Sequence, residues 1–375
     1  MNLMYFDHAA TTPVKEEVLN EMIPYFEANY GNASSIYSIG RKSKNAIDVS
    51  REKVAKAIGC DVKEIYFTSC GSESDNLAIK GVARANKEKG NHIITSQIEH
   101  PAVLNTCKKL ENEGFDITYL AVDENGFISL EDLKNAINEK TILISIMFAN
   151  NEIGTIQPIK EIAEIAKEAG VIFHTDCVQA IGNVKIDVKE MGIDLLSMSA
   201  HKFYGPKGVG ALYVKNGIDF EKIQDGGHQE RDKRAGTENV AGIVGLGKAI
   251  QIANNNLENY NSKLLKLRNY FVREITNKYE NVKINGDLKK RLPGNINVSF
   301  PGIDGEELLL KLDSYNICAS AGSACSSGLS SPSHVLKAIG LNDEYAGGSL
   351  RITFGEQNNI EQVKFLVDCI GRIIG

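Results

Sequence analysis

Lys202 closes an apolar run, Leu195-Leu196-Ser197-Met198-Ser199-Ala200-His201-Lys202, and is followed by Phe203-Tyr204-Gly205-Pro206-Lys207-Gly208-Val209-Gly210. Most lysines are solvated surface groups, so one leaving a buried strand into a Gly-Pro turn is oddly placed. In a partly desolvated pocket its amine loses charge and can condense with an aldehyde. A Ser-Lys hydrolase or a phosphate-binding lysine has the same placement. After a second strand-like run, Glu64-Ile65-Tyr66-Phe67-Thr68, come Ser69-Cys70-Gly71-Ser72-Glu73-Ser74, which open a helix. Small residues with exposed N–H groups there make a phosphate cradle, or simply a Ser-capped helix start. After a third run, Val171-Ile172-Phe173-His174, stands Thr175-Asp176-Cys177-Val178-Gln179. An acid in that place caps a helix or faces a cationic ring nitrogen, which is how pyridoxal 5′-phosphate (PLP) enzymes keep the pyridinium protonated. Each element is ambiguous singly. Their order and spacing together point to PLP held on Lys202 as a Schiff base.

Elements must bring these residues together, and the sequence supplies them. Short apolar runs, also including His92-Ile93-Ile94-Thr95 and Ile142-Leu143-Ile144-Ser145-Ile146-Met147, read as buried strands. Between them Ile159, Ile162, Ala163, Ala166 and Ala169 repeat at helical spacing, with Lys and Glu opposite. The alternation predicts an α/β fold with a mostly parallel sheet sandwiched by helices, whose ligands collect beyond the carboxyl ends of the strands. Thr12 reads as an N-cap with Pro13 as first helical residue. Asn239 to about Tyr279 is almost continuously helical and carries the chain out of a large domain. Asn295–Phe300 then alternates like a half-exposed strand, and Glu306–Leu312 resumes a helix. The expected division is a large PLP-binding domain over 14–259 and a smaller α+β domain of 1–13 and 260–375.

A length of 375 residues suits two domains, or one large α/β domain with an appendage, and 42% hydrophobic with 24% charged residues is a soluble globular mixture. A net charge of −6 argues against direct nucleic-acid binding. No apolar run is long enough to span a bilayer, and Met1-Asn2-Leu3-Met4 lacks the regions of a signal peptide, so no membrane contact and a cytoplasmic location are expected. Cys60, Cys70, Cys107, Cys177, Cys318, Cys325 and Cys369 are dispersed without a Cys-x-x-Cys pair, so neither a disulfide framework nor a metal site is expected. A buried, inert thiol is the default for each. Cys325 differs. It lies in Ala319-Ser320-Ala321-Gly322-Ser323-Ala324-Cys325-Ser326-Ser327-Gly328-Leu329-Ser330-Ser331-Pro332, a small and polar stretch that reads as a mobile loop. Such a thiol is suited to swing in, attack and carry a product out; its ordinary pKa of about 8.5 means that activation by neighbours helps it act as thiolate.

Ala10-Thr11-Thr12-Pro13, Thr95-Ser96-Gln97-Ile98-Glu99-His100, Asn150-Asn151-Glu152-Ile153-Gly154, Ser199-Ala200-His201-Lys202, Arg234-Ala235-Gly236-Thr237-Glu238-Asn239 and Ser323-Ala324-Cys325-Ser326-Ser327-Gly328 closely resemble the cysteine desulfurases of the NifS/IscS type. Those are class V aminotransferase-like PLP enzymes of fold type I, and the resemblance runs from about residue 4 to 355. It implies that Lys202 holds the cofactor, Asp176 pairs with the pyridinium nitrogen, and Gln179 hydrogen-bonds the phenolic oxygen. His100 would stack on the ring and move protons. Gly71, Ser72, Ser199 and His201 would bind the phosphate, joined by Thr237 from a neighbouring subunit, which implies a homodimer. Asn151, also at the cofactor, and Arg351 would hold L-cysteine, with Arg351 on its α-carboxylate. Cys325 would take the sulfur as a persulfide and pass it to an acceptor protein, an Fe–S scaffold or a tRNA-thiolation enzyme. Cys70-Gly71-Ser72 stands where the family usually has Gly-Ala-Thr, Cys177 where it has Ala, and His228 where it has Gly. A selenocysteine lyase or cysteine sulfoxide-type lyase, an aminotransferase and a non-catalytic PLP-binding partner protein are the rival readings.

Overall fold

The computed structural model describes residues 3–321 and 333–375. Its strands are β1 (Met4–Tyr5), β2 (Ile65–Thr68), β3 (His92–Ser96), β4 (Asp116–Leu120), β5 (Thr141–Ser145) and β6 (Ile172–Asp176). They continue with β7 (Leu195–Ser199), β8 (Gly210–Val214), β9 (Lys283–Asn285), β10 (Asn295–Ser299), β11 (Ile317–Cys318) and β12 (Ser349–Thr353). Seven of them form one sheet in the order β2-β8-β7-β6-β5-β3-β4, and only β8 runs antiparallel to its neighbours. The expected α/β fold with a mostly parallel sheet is what the chain adopts.

Successive side chains on a strand point to opposite faces, and both faces are apolar here. Ile93, Leu143 and Leu195 pack under the helices Gly71–Ala85 and Pro101–Glu111. Their neighbours Ile94, Ile144 and Leu196 pack on the other side, against Ile162 of the helix Ile159–Ala169, Val54 of Ser38–Ile58 and Leu246 of Val240–Asn255. A separate core gathers Phe6, Phe271, Ile296, Val298, Leu350, Ile352 and Leu366 around a second, antiparallel sheet ordered β12-β10-β9. β1 pairs with β11 in parallel.

Two expectations need correction. Thr12 is not an N-cap: its hydroxyl donates to the His201 carbonyl at 2.9 Å and accepts from Tyr204 N at 2.8 Å, so it ties the chain start to the lysine turn. The first helix begins at Glu16, after Lys15. β10, expected to be half-exposed, is buried along its whole length because it is the middle strand of the second sheet, between β12 and β9. The long helical stretch is almost continuous as expected, in two helices, Val240–Asn255 and Leu257–Lys278, that meet at Asn256. Ala241, Leu246 and Ile250 belong to the core of the large sheet, whereas Leu264, Phe271 and Ile275 belong to the second core. The junction therefore falls where the chain changes cores.

The end of β2 has a buried anchor. Glu230 accepts from both Arg51 Nη1 and Nη2 at 2.7 Å and from Phe67 N at 2.9 Å. It does so from a left-handed backbone at φ 46°, a conformation that costs free energy outside glycine. Among the described residues no helix is long and apolar enough to cross a membrane.

Candidate active site

Five parallel strands, β2, β3, β5, β6 and β7, end at one edge of the large sheet, and the segments leaving them line a cavity of about 540 Å³. The helix Gly71–Ala85 follows β2; His100 follows β3; Asn151 follows β5; Asp176 ends β6; Ser199 ends β7, and Lys202 closes the short 3₁₀ turn after it. Arg351 enters from β12 of the second sheet. Gly71, Ser72, Gln179 and His201 complete the list of sequence-named residues that line the cavity. Thr237 is exposed and does not line it. Cys325 lies outside the described residues.

Lys202 Nζ donates to the carbonyls of Ala9 at 2.6 Å and Ala10 at 2.8 Å. Gln179 Nε2 donates to the same Ala9 oxygen at 3.0 Å. His100 caps the helix Pro101–Glu111 with its own ring, Nδ1 accepting from Ala102 N at 3.1 Å, which leaves the proton on Nε2. Burial pushes the His100 pKa below its usual value, with Lys202 and His334 adding to the effect and Asp176 opposing it. His201, bonded through Nδ1 to Thr11 Oγ1 at 3.1 Å, is pushed by burial to about 4. Both imidazoles are neutral at pH 7.

Sequence reasoning missed two acids in the same cavity wall, Asp75 and Glu99. Burial raises Asp176 and raises Asp75 well above the carboxylate range, and each charge disfavours the other. Asp176 faces Lys202 and the His100 ring, both of which favour its charged form, and accepts from Val178 N at 2.8 Å. Asp75 has no cation among its main influences, so Asp176 keeps the negative charge and Asp75 the proton. Behind them His174 bridges Ser145 Oγ at 2.9 Å and Ser197 Oγ at 3.0 Å; burial lowers it to about 3. Glu99, raised to about 8 by burial, is also neutral at pH 7. The signal for Asp75 was in the sequence: Asp75, Ala78, Ile79 and Val82 share the buried helix face, so an acid stands in the core register.

The residues fit PLP. The helix Gly71–Ala85 starts at Cys70 with no side-chain cap, so its dipole and first N–H groups are available to an anion beside Ser72 and His201. Ser199 Oγ is buried with no hydrogen-bond partner, a cost that a phosphate oxygen would remove. A Cβ on Gly71 would lie 2.6 Å from Val178 Cγ2, so glycine permits the close approach of cradle and Asp176 loop. Asp176 suits a pyridinium and Lys202 an aldehyde. The unusual thiols are distinct: Cys177 is fully buried and its pKa is pushed well up, while Cys70 is half-buried on the cavity wall. His228 is exposed and pairs with Asp232.

Residues 4–366 match the aminotransferase class-V family. The chain is 58% identical over 373 residues to cysteine desulfurase IscS of Clostridium botulinum, covering 99% of this chain and 94% of that one. Identity to cysteine desulfurase IscS of Methanosarcina thermophila is 55%, covering 99% of this chain and 92% of the other. A solved NifS-like protein superposes with a TM-score of 0.94 at 39% identity, covering 100% of this chain and 99% of that one. With its cavity, cofactor cradle and full-length similarity agreeing, the chain belongs to the class-V aminotransferase family of PLP-dependent enzymes, among the cysteine desulfurases of the NifS/IscS type.

Proposed function

We propose that this chain removes sulfur from L-cysteine, giving L-alanine and a persulfide on Cys325 that is passed to an acceptor protein. The observation that carries the reading is the convergence of His100, Asp176, Ser199 and Lys202 from the ends of β3, β6 and β7, and of Arg351 from β12, on one cavity. Bound PLP supplies an electrophilic aldehyde and an electron sink for the substrate α-carbon. Lys202 holds the cofactor and, once released, takes the α-proton on Nζ. Asp176 keeps the ring nitrogen protonated, Gln179 and Asn151 orient the ring, and His100 Nε2–H lies ready to move protons. Ser72, Ser199 and His201 fix the phosphate. Arg351 orients the substrate through its α-carboxylate. The Cys325 thiolate then attacks the substrate sulfur: an S–S bond forms, the C–S bond breaks, and the carbon takes a proton, so alanine leaves.

A homodimer completes this reading, with Thr237 reaching the phosphate of the partner copy. Its exposed position and the large apolar side chains Phe26 (64% exposed), Tyr30 (70%) and Ile36 (90%) near the chain start support a second copy as their cover. The separate core built from residues 4–6 and from 264 onward supports a division into two domains near residue 260. The acceptor is an Fe–S scaffold or a tRNA-thiolation enzyme.

The test is Cys325→Ala. Sulfide release from cysteine should vanish while the cofactor absorbance stays, and mass spectrometry of the unmodified enzyme should find the extra sulfur on Cys325. Unchanged desulfuration in the variant would sink the assignment.

A further inference from the structure

Arg351 is almost fully buried, and two of its donors are spoken for within the chain. Nη2 donates to Asp7 Oδ1 at 2.7 Å, and Nη1 reaches the Asn151 carbonyl at 3.4 Å. Nε is buried with no partner. A guanidinium has five N–H donors in a rigid plane, so fixing one edge fixes where the others point. Asp7 is itself well held. Its backbone bridges to Thr353 beside β12, and the next residues bond the same place, with Ala9 N donating to Thr353 Oγ1 at 2.8 Å. Asp7 does not line the cavity, so it stands behind the arginine and acts through it.

We propose that Asp7 is a positioning residue that sets the plane of the Arg351 guanidinium and thereby makes the site demand an α-carboxylate on its amino-thiol substrate. This rests on the reading of Arg351 as the carboxylate clamp. An untethered arginine has several rotatable bonds and loses rotamer freedom when a ligand orders it. Asp7 orders it beforehand. The paired charge also keeps the guanidinium from standing alone in a desolvated wall, where an unpaired charge is strongly unfavourable. The unpartnered Nε shows that the protein alone does not satisfy this side chain, as a group waiting for an anionic ligand should not be satisfied.

The consequence is a selectivity that can be read as a ratio. The probes are L-cysteine and cysteamine, which differ only in the carboxylate. Binding is followed by the change in cofactor absorbance of the holoenzyme, freed of unbound PLP, in a Cys325→Ala background that prevents turnover. Asp7→Ala should lower the preference for cysteine over cysteamine by about tenfold or more, the range of a charge-assisted hydrogen bond. Asp7→Asn keeps an acceptor in the same place and should retain most of the preference. A general folding defect would weaken both amines alike and leave the ratio where it was. The proposal is overturned if Asp7→Ala keeps the normal ratio, or if Asp7→Ala and Asp7→Asn both raise it, since Asp7 would then only compete for the clamp. Arg351→Ala separates the two layers. If it lowers the ratio and Asp7→Ala does not, the Asp7 role alone fails; if it leaves the ratio unchanged, the clamp reading fails and the Asp7 role with it.

Discussion

Replacing Glu99 by Gln tests how this site keeps a carboxylic acid neutral beside its cofactor pocket. Glu99 is 1% exposed; Oε1 accepts from Ser96 Oγ at 2.6 Å and from Met147 N at 2.9 Å, and Oε2 has no partner. Burial raises its pKa from 4.5 to about 8; the two hydrogen bonds oppose this, and the charge of Asp176 adds a little. The folded protein thus keeps a proton that the unfolded chain has lost throughout the window from 4.5 to about 8. Its contribution to stability is complete below 4.5, falls as pH rises, and is gone above about 8. The gap between those two values, at about 1.4 kcal/mol for each tenfold in proton affinity, amounts to on the order of 5 kcal/mol. Gln preserves both hydrogen bonds and never titrates. The unfolding free energy of Glu99→Gln minus that of the native protein should therefore climb by several kcal/mol across this window and flatten beyond it. Urea unfolding of the cofactor-free protein, run as a pH series on both forms, measures that difference while the other titrating groups cancel. Parallel pH curves for the two proteins would refute the reasoning, because Glu99 would then ionise as an ordinary carboxylate.

Ser199→Ala should weaken PLP binding to the cofactor-free protein by roughly tenfold to a hundredfold, the worth of a hydrogen bond to a charged group. An unchanged dissociation constant would mean that the unpartnered hydroxyl does not meet the phosphate. Glu230→Gln leaves Arg51 buried without its counter-charge and should cost about 3–5 kcal/mol, read as a lower urea midpoint; a midpoint equal to the native one would show the pair to be idle. Cys107, Cys177 and Cys369 are fully buried, and burial raises all three thiols, so they should resist alkylation until the protein unfolds. Rapid labelling of Cys177 in native protein would contradict its placement.

Strand-end chemistry was legible because it depends on local pattern. An apolar run followed by Asp176, Lys202 or a Ser-Gly turn announces both a buried strand and something unusual at its end. What stayed hidden depends on neighbours distant in sequence. Thr12 reads as a helix cap, and only the His201 carbonyl and the Tyr204 amide recruit its hydroxyl for another purpose. Glu99 adjoins His100 and looks like one more surface acid until β5 supplies the Met147 amide that holds it inside. The sequence reading stopped at the Gly-Pro turn, yet β8 beyond it inserts antiparallel between β2 and β7, an arrangement no local periodicity encodes.

The stretch from Asp7 to Thr12 touches Arg351, Lys202, Gln179 and His201, and the separation between Asp7 and Arg351 is 344 residues. This stretch leaves the ribosome 344 residues before its last partner. The cofactor pocket therefore cannot be finished until β12 has been made, however early the large sheet condenses. Any nascent or truncated chain lacking β12 has Lys202 in place but no guanidinium opposite it. Completion of the site is in effect a check that synthesis has run through β12.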